Sequence, residues 1–326
     1  MIKFENIMIK KNTTYAILLS LFIALIGAFV IYYFFKMSWD PTNQNNDMEK
    51  GIPSFTRDIT GDFDNPLSRP MDVVKVEERI YVTDNNNARV QVFDEKGESL
   101  FQFGTSGTKE GEFLSPFGIT SDGSNIYVAD IQTGKISIFD LSGKFKKCFT
   151  EKNEEQVILS PIGIRYMDKK LYVTDVRANK VFLFNLDGEK LLEISEGNGV
   201  PLFAPNCVTK DDEDNIYVSD SGNNRILKFD KKGNYVLTIN GSPGGTGPSR
   251  LVNPRGIGVS KAGILYFAEN QGNAIYGYSL KGKKLFTFGQ HGSEEAEFIL
   301  PNGLYISEEG HIFITETGNN RVDWYN

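Results

Sequence analysis

The sequence predicts an all-β fold, a six-bladed β-propeller preceded by one N-terminal transmembrane helix. Three observations predict it. A proline recurs as Pro70, Pro116, Pro161, Pro205, Pro254 and Pro301, at intervals of 46, 45, 44, 49 and 47 residues. An acid follows each proline about 14 residues later: Asp84, Asp130, Asp175, Asp220, Glu269 and Glu316. Around them lie short apolar runs rich in Val, Ile, Tyr and Phe, bounded by Asp, Asn and Gly, the signature of strands joined by tight turns. A period of roughly 40–50 residues with strand content means a radial array of one unit, and four strands in each of six copies describe a propeller.

The first element is apolar. Residues 16–35 carry no charge, matching the roughly 20 apolar residues that cross about 30 Å of hydrocarbon. Tyr15, Tyr32, Tyr33 and Trp39 mark its ends, where amphipathic rings favour the headgroups. Lys3, Lys10 and Lys11 precede it while Asp40, Asp47 and Glu49 follow, so residues 1–14 are expected in the cytoplasm. A cleaved signal peptide would have a shorter apolar region and a small-residue cleavage site, which Tyr32-Tyr33-Phe34-Phe35 does not offer. Residues 15–35 therefore read as an uncleaved signal-anchor in a single-pass cell-membrane protein. Residues 36–52, polar and containing Pro41, read as a linker to an extracytoplasmic propeller at 53–326.

Within the repeat, the fourth copy serves as template. Pro205-Asn206-Cys207-Val208 opens the innermost strand, Ile216-Tyr217-Val218-Ser219-Asp220 forms the second, and residues 225–230 and 235–239 the third and fourth. The corner 230–233 supplies a glycine for a tight hairpin, as do 94–97, 140–143, 185–188 and 279–282. The last copy ends after its third strand, and residues 54–59 are expected to provide the missing outer one, leaving no open edge.

Charge and composition exclude several functions. The chain holds 35 basic and 42 acidic residues, and 37–326 alone carries 31 against 41, a formal charge of −10. A polyanion-binding surface needs the opposite sign, so nucleic acid is not an expected partner. Cys148 and Cys207 fall in different repeats and read as reduced thiols. The two histidines, His291 and His311, are too few for a three-ligand zinc centre and read as surface residues.

Tyr217-Val218-Ser219-Asp220 with Gly222-Asn223-Asn224-Arg225-Ile226 resembles the NHL repeat. So do Tyr81-Val82-Thr83-Asp84 with Asn87-Ala88-Arg89-Val90, and Ile314-Thr315-Glu316 with Gly318-Asn319-Asn320-Arg321-Val322. Copies two, three and five lack the Asn-Arg pair and carry Gly134-Lys135, Asn179-Lys180 and Asn273-Ala274 instead. The resemblance implies the six-bladed fold over residues 53–326. It does not choose a function, because such propellers host ligand, protein and RNA binding and a few lyases.

The repeated acids read as turn caps and Arg89, Arg225 and Arg321 as structural ties, since one role in every blade is what a cap requires. Function is expected where the copies differ, after each proline and each acid on one loop face. The candidate rim for a ligand or partner is Phe117, Gln132, Ile162, Arg177, Asn206, Arg255, Asn270 and Asn302. Apolar walls with a few polar groups suit capture of an envelope protein, a peptide, a glycan or a small ligand. No cofactor and no catalytic residue is expected on this reading. The alternative, implied by lactonases on a similar fold, is a hydrolase holding Ca or another divalent cation in the channel through Glu269, Asn206 and Asn302.

Overall fold

The computed structural model describes residues 52–151 and 157–326; the proposed anchor at 15–35 and nearly all of the linker lie outside them. Six four-stranded antiparallel sheets, here called blades 1 to 6, stand around one axis. Their innermost strands are Pro70–Val76, Pro116–Ser121, Pro161–Met167, Pro205–Lys210, Pro254–Val259 and Pro301–Ile306. All six repeated prolines thus begin innermost strands, where a missing N–H leaves no ladder bond unmade. Each pairs in register with its repeated acid, Pro70 with Asp84 through Pro301 with Glu316.

Blade 6 is built from both ends of the described chain. Phe55–Ile59 lies antiparallel on Arg321–Tyr325, with Ile59 opposite Val322 and Phe55 opposite Tyr325. This fourth strand covers the edge that Arg321–Tyr325 would otherwise present.

The core is divided into six wedges, one between each pair of neighbouring blades. Val74, Tyr81, Phe113, Ile126 and Phe139 fill the wedge between blades 1 and 2. Ile59, Val73, Ile80, Phe93, Phe313 and Trp324 fill the one that joins blade 6 to blade 1. Second strands are buried from their second residue onward because both faces of a middle strand meet a wedge, and Ile216–Asp220 is buried at every residue. The hairpin corners close as the sequence requires, with Gly97, Gly143, Gly188, Gly233 and Gly282 at φ +83° or +84°, a conformation that costs other residues.

The repeated acids do cap turns, but they also set the loops between blades. Asp130 accepts main-chain N–H groups from Leu114, Ser115, Gln132 and Thr133, and Asp175 accepts the equivalent four. In blades 1, 4 and 6 an arginine joins in: Arg89 to Asp84 at 2.7 Å, Arg225 to Asp220 at 2.7 Å and Arg321 to Glu316 at 2.5 Å. Each guanidinium then donates to carbonyls of the preceding inter-blade loop, such as Pro66, Val200 and Ser293. Two of those loops form small hairpins, Gly61–Asp62 with Asn65–Pro66 and Glu196–Gly197 with Val200–Pro201. Two-residue strands carry no periodicity, so nothing in the sequence marks them.

Cys148 and Cys207 are both free. His291 is exposed between blades. His311 departs from the expected surface role, packing half-buried on Trp324 at 5.1 Å between ring centroids.

Candidate functional site

Each innermost strand slips register just after its proline, a bulge that recurs between Pro70 and Val73, Pro116 and Ile119, and on to Pro301 and Leu304. Bulges re-aim side chains, and here the displaced residues are the variable ones after each proline. A hydroxyl accepts the N–H freed by the bulge: Thr83 takes Asp72, Thr174 takes Gly163, Ser219 takes Cys207 and Thr315 takes Gly303. Thr83, Thr174 and Thr315 also donate to the next blade, at Phe117 O, Asn206 O and Met71 O.

The six bulges crowd the axis into a throat of about 10 Å³, lined by Phe117, Ile162, Asn206 and Asn302 among others. Glycine is needed there. A Cβ on Gly163 would stand 2.3 Å from Asn206 O, and one on Gly256 would stand 2.3 Å from Leu304 N. Below the throat Arg165 reaches across the axis to Asp72, with Nη1 2.6 Å from Oδ2 and Nη2 3.1 Å from Oδ1. It also donates to Ile164 O and, in blade 6, to Leu304 O. Burial works against the Arg165 charge, yet the Asp72 carboxylate raises its pKa. The axis is therefore plugged by a buried ion pair.

The expected rim residues separate into four groups. Phe117, Ile162, Asn206 and Asn302 do face the throat. Gln132 and Arg177 are exposed in the turns after their repeated acids and do not line it. Asn270 is turned away: it is buried and donates to Pro301 O at 2.9 Å, tying blade 5 to blade 6 as Asn85 ties blade 1 to Pro116 O. Arg255 is half-buried, and among the described residues its one hydrogen bond is Nη1 to Asn302 Oδ1 at 3.3 Å. Its Nε is buried without an acceptor, and burial together with the nearby charge of Arg69 lowers its pKa. The three groups of the cation alternative do not converge, because Glu269 caps Val252 N in the turn while Asn206 and Asn302 face the axis. Among the described residues no cluster of three or more His, Cys, Asp or Glu side chains is placed to hold a metal ion.

A family model described as a 6-bladed beta-propeller (DUF5128) matches residues 60–154. No curated protein matches the chain. Among solved structures, it is similar to a virginiamycin B lyase from Staphylococcus aureus, a catalytically inactive form with quinupristin, at 16% identity and TM-score 0.57 over 81% of this chain and 83% of that one. It is also similar to an auxiliary nutrient binding protein from Bacteroides thetaiotaomicron, at 16% identity and TM-score 0.60 over 83% and 72% of the two chains. A protein of unknown function from the same organism gives 15% identity and TM-score 0.63 over 84% and 72%. The ring is a six-bladed β-propeller. At these identities the likeness carries the fold alone.

The propeller's two faces differ in shape and charge. At the far ends of the innermost strands opens a basin of about 750 Å³, floored by Arg165 and walled by Val74, Tyr166, Ile257 and Tyr305. Its lining includes Glu77, Asp122, Asp168, Asp211, Asp212, Glu308 and Glu309 against Lys75, Lys210 and the plug arginine. The positions that vary after each proline and acid lie on the opposite face, and no sequence pattern marks this basin. The proline face carries its six repeated acids buried and three arginines, Arg69, Arg177 and Arg255, that make no ion pair among the described residues.

That face also presents exposed apolar side chains one or two residues before five of the six prolines: Leu114, Leu159, Phe203, Val252 and Leu300, from 38% to 57% exposed. Four of them have their own N–H held by a cap acid, Asp130, Asp175, Asp220 and Glu269 in turn, and Leu300 N is held by Asn273 Oδ1. The acids thus hold an apolar ring outward while themselves staying out of water.

Glu269 is the exception among the caps. Like Asp130 and Asp175 it has no arginine, but it alone of the six has a buried oxygen, Oε2, without a partner, and burial pushes its pKa up to about 7. The folded state favours the protonated acid, so its contribution is full below the ordinary value of 4.5 and lost as pH rises through about 7. Glu269→Gln is therefore expected to match the wild type near pH 4 and to be more stable by about 2–3 kcal/mol above pH 8. Thermal melts from pH 4 to pH 9 check this, and parallel curves for the two proteins would refute it.

Proposed function

We propose that this chain is a membrane-tethered, NHL-type propeller on the extracytoplasmic side that captures an envelope protein, peptide, glycan or small ligand on its proline face, without a cofactor. The observation that carries the reading is the ring of exposed Leu114, Leu159, Phe203, Val252 and Leu300, held outward around a mouth that contains Arg255. Soluble surfaces rarely repeat large apolar side chains around one opening unless something covers them. The hydrolase alternative has less support. It needs Glu269, Asn206 and Asn302 to share one ion, while the Asp72 carboxylate in the throat is already neutralised by Arg165.

A double variant, Phe117→Ala with Arg255→Ala, is expected to melt within a few degrees of the wild type. Its recovery of cross-linked envelope partners should fall about tenfold or more, as loss of a hot spot demands. Unchanged recovery of the same partners would remove the proline face from consideration. Elemental analysis after dialysis against calcium separates the alternative, which requires one retained divalent ion per chain.

A further inference from the structure

Resting on that reading of the proline face, we propose that the mouth binds the free C-terminal carboxylate of an extended peptide whose last residues are apolar. Arg255 supplies the charge, and the Asn206 and Asn302 amides line the approach.

Arg255 stands apart from the buried arginines. Arg89, Arg165, Arg225 and Arg321 each pair with a carboxylate at 2.5–2.7 Å. Arg255 is half-buried with one 3.3 Å hydrogen bond to a neutral amide and a buried Nε that donates to nothing. A partly desolvated guanidinium left unpaired is costly, and a planar carboxylate matches its fork of donors. One blade away the Asn206 amide, only 7% exposed, makes no hydrogen bond among the described residues although it lines the throat. Asn302 donates to Met71 O, and its Oδ1 faces Arg255.

Shape and charge narrow the ligand further. The throat beneath is about 10 Å³ and the Arg165–Asp72 pair closes it, so a chain can enter end-first but cannot thread through. A terminal carboxylate reaches a recessed guanidinium in that pose, while the residues behind it lie on the ring of Leu159, Phe203 and Val252. Arg69 and Arg177 add positive charge at the mouth, and every repeated acid of this face is buried. The strongly acidic remainder of residues 37–326 opposes a polyanion, which leaves a single compact negative charge as the match.

The test uses the full chain and a pool of fluorescent pentapeptides ending in Leu, Val, Ile or Phe, each made as the free acid and as the C-terminal amide. Anisotropy titrations are expected to find free acids that bind and whose amides bind about tenfold or more weakly, a step of 1.4 kcal/mol. Arg255→Ala should abolish the preference for acid over amide, and Arg255→Lys should keep part of it. Equal binding of acids and amides, a preference unchanged in Arg255→Ala, or no binding by any free acid overturns the proposal. A Leu159→Ser and Phe203→Ser variant reads the parent idea separately. If it loses peptides that bind as acid and amide alike, the proline face stands and carboxylate capture falls. If peptide binding ignores those two substitutions, the proline face itself is wrong.

Discussion

Asp72→Ala should lower the stability of the propeller by about 3–5 kcal/mol, because it leaves the Arg165 guanidinium buried on the axis without its counter-charge. Both side chains are over nine-tenths buried, and the two hydrogen bonds between them are the only carboxylate contacts of Arg165 among the described residues. Asp72 Oδ2 also accepts Ile119 N at 3.1 Å, so the substitution orphans a main-chain donor as well. The double variant Asp72→Ala with Arg165→Met removes both charges, and it should recover most of the loss. Urea unfolding of the two single variants and the double variant measures the cycle. A cost for Asp72→Ala below about 1 kcal/mol, or strict additivity, would mean that water reaches the pair and that the axis is open.

Removing the strand that closes blade 6 is the second large effect. A chain starting at residue 60 loses Ile59, 1% exposed in the wedge with Val73, Phe93, Phe313 and Trp324. Loss of such a side chain alone costs about 2–5 kcal/mol. It also loses the edge-on contact of Phe55 with Tyr325 and the four register pairs along Arg321–Tyr325. Melting should fall by roughly 10 °C or more, at about 2–4 °C per kcal/mol. The exposed edge should make the shortened chain associate, visible in light scattering. A monomer melting within a few degrees of the parent would show that blade 6 stands on three strands.

The proline and acid positions could be read from sequence because each repeat solves the same local problem: where a strand starts and how its turn is capped. What escaped was whatever one blade does for the next. The asparagines at 179, 224, 273 and 320 look like ordinary turn residues, and they adopt the left-handed conformation expected of turns. Yet their Oδ1 atoms each hold the N–H of a residue just before a neighbouring proline, Ala204, Asn253, Leu300 and Arg69. The last tie spans 251 residues, beyond any local rule. Thr83 and Ala129 mark blades with and without a hydroxyl tie, a difference visible as letters but meaningful only beside the bulge it serves. Asn270 was expected on the rim because it varies between copies. It turns inward because the buried carbonyl of Pro301 needs a donor. Arg165 and Asp72, 93 residues apart, meet only because the ring brings blades 1 and 3 to a common axis.

The closing strand has a mechanical consequence. Ser54 exchanges main-chain hydrogen bonds with Asn326 at 2.8 and 2.9 Å, while Ile59 pairs with Val322 near the proline face, so the strand runs from the basin side toward that face. Tension between residue 54 and anything gripping the proline face acts along the strand. Antiparallel neighbours loaded in that direction share the force among all their hydrogen bonds at once, whereas a pull across the sheet would peel them one by one. A load applied in that way would act on the seam in shear, and the outer strand that closes blade 6 would bear it.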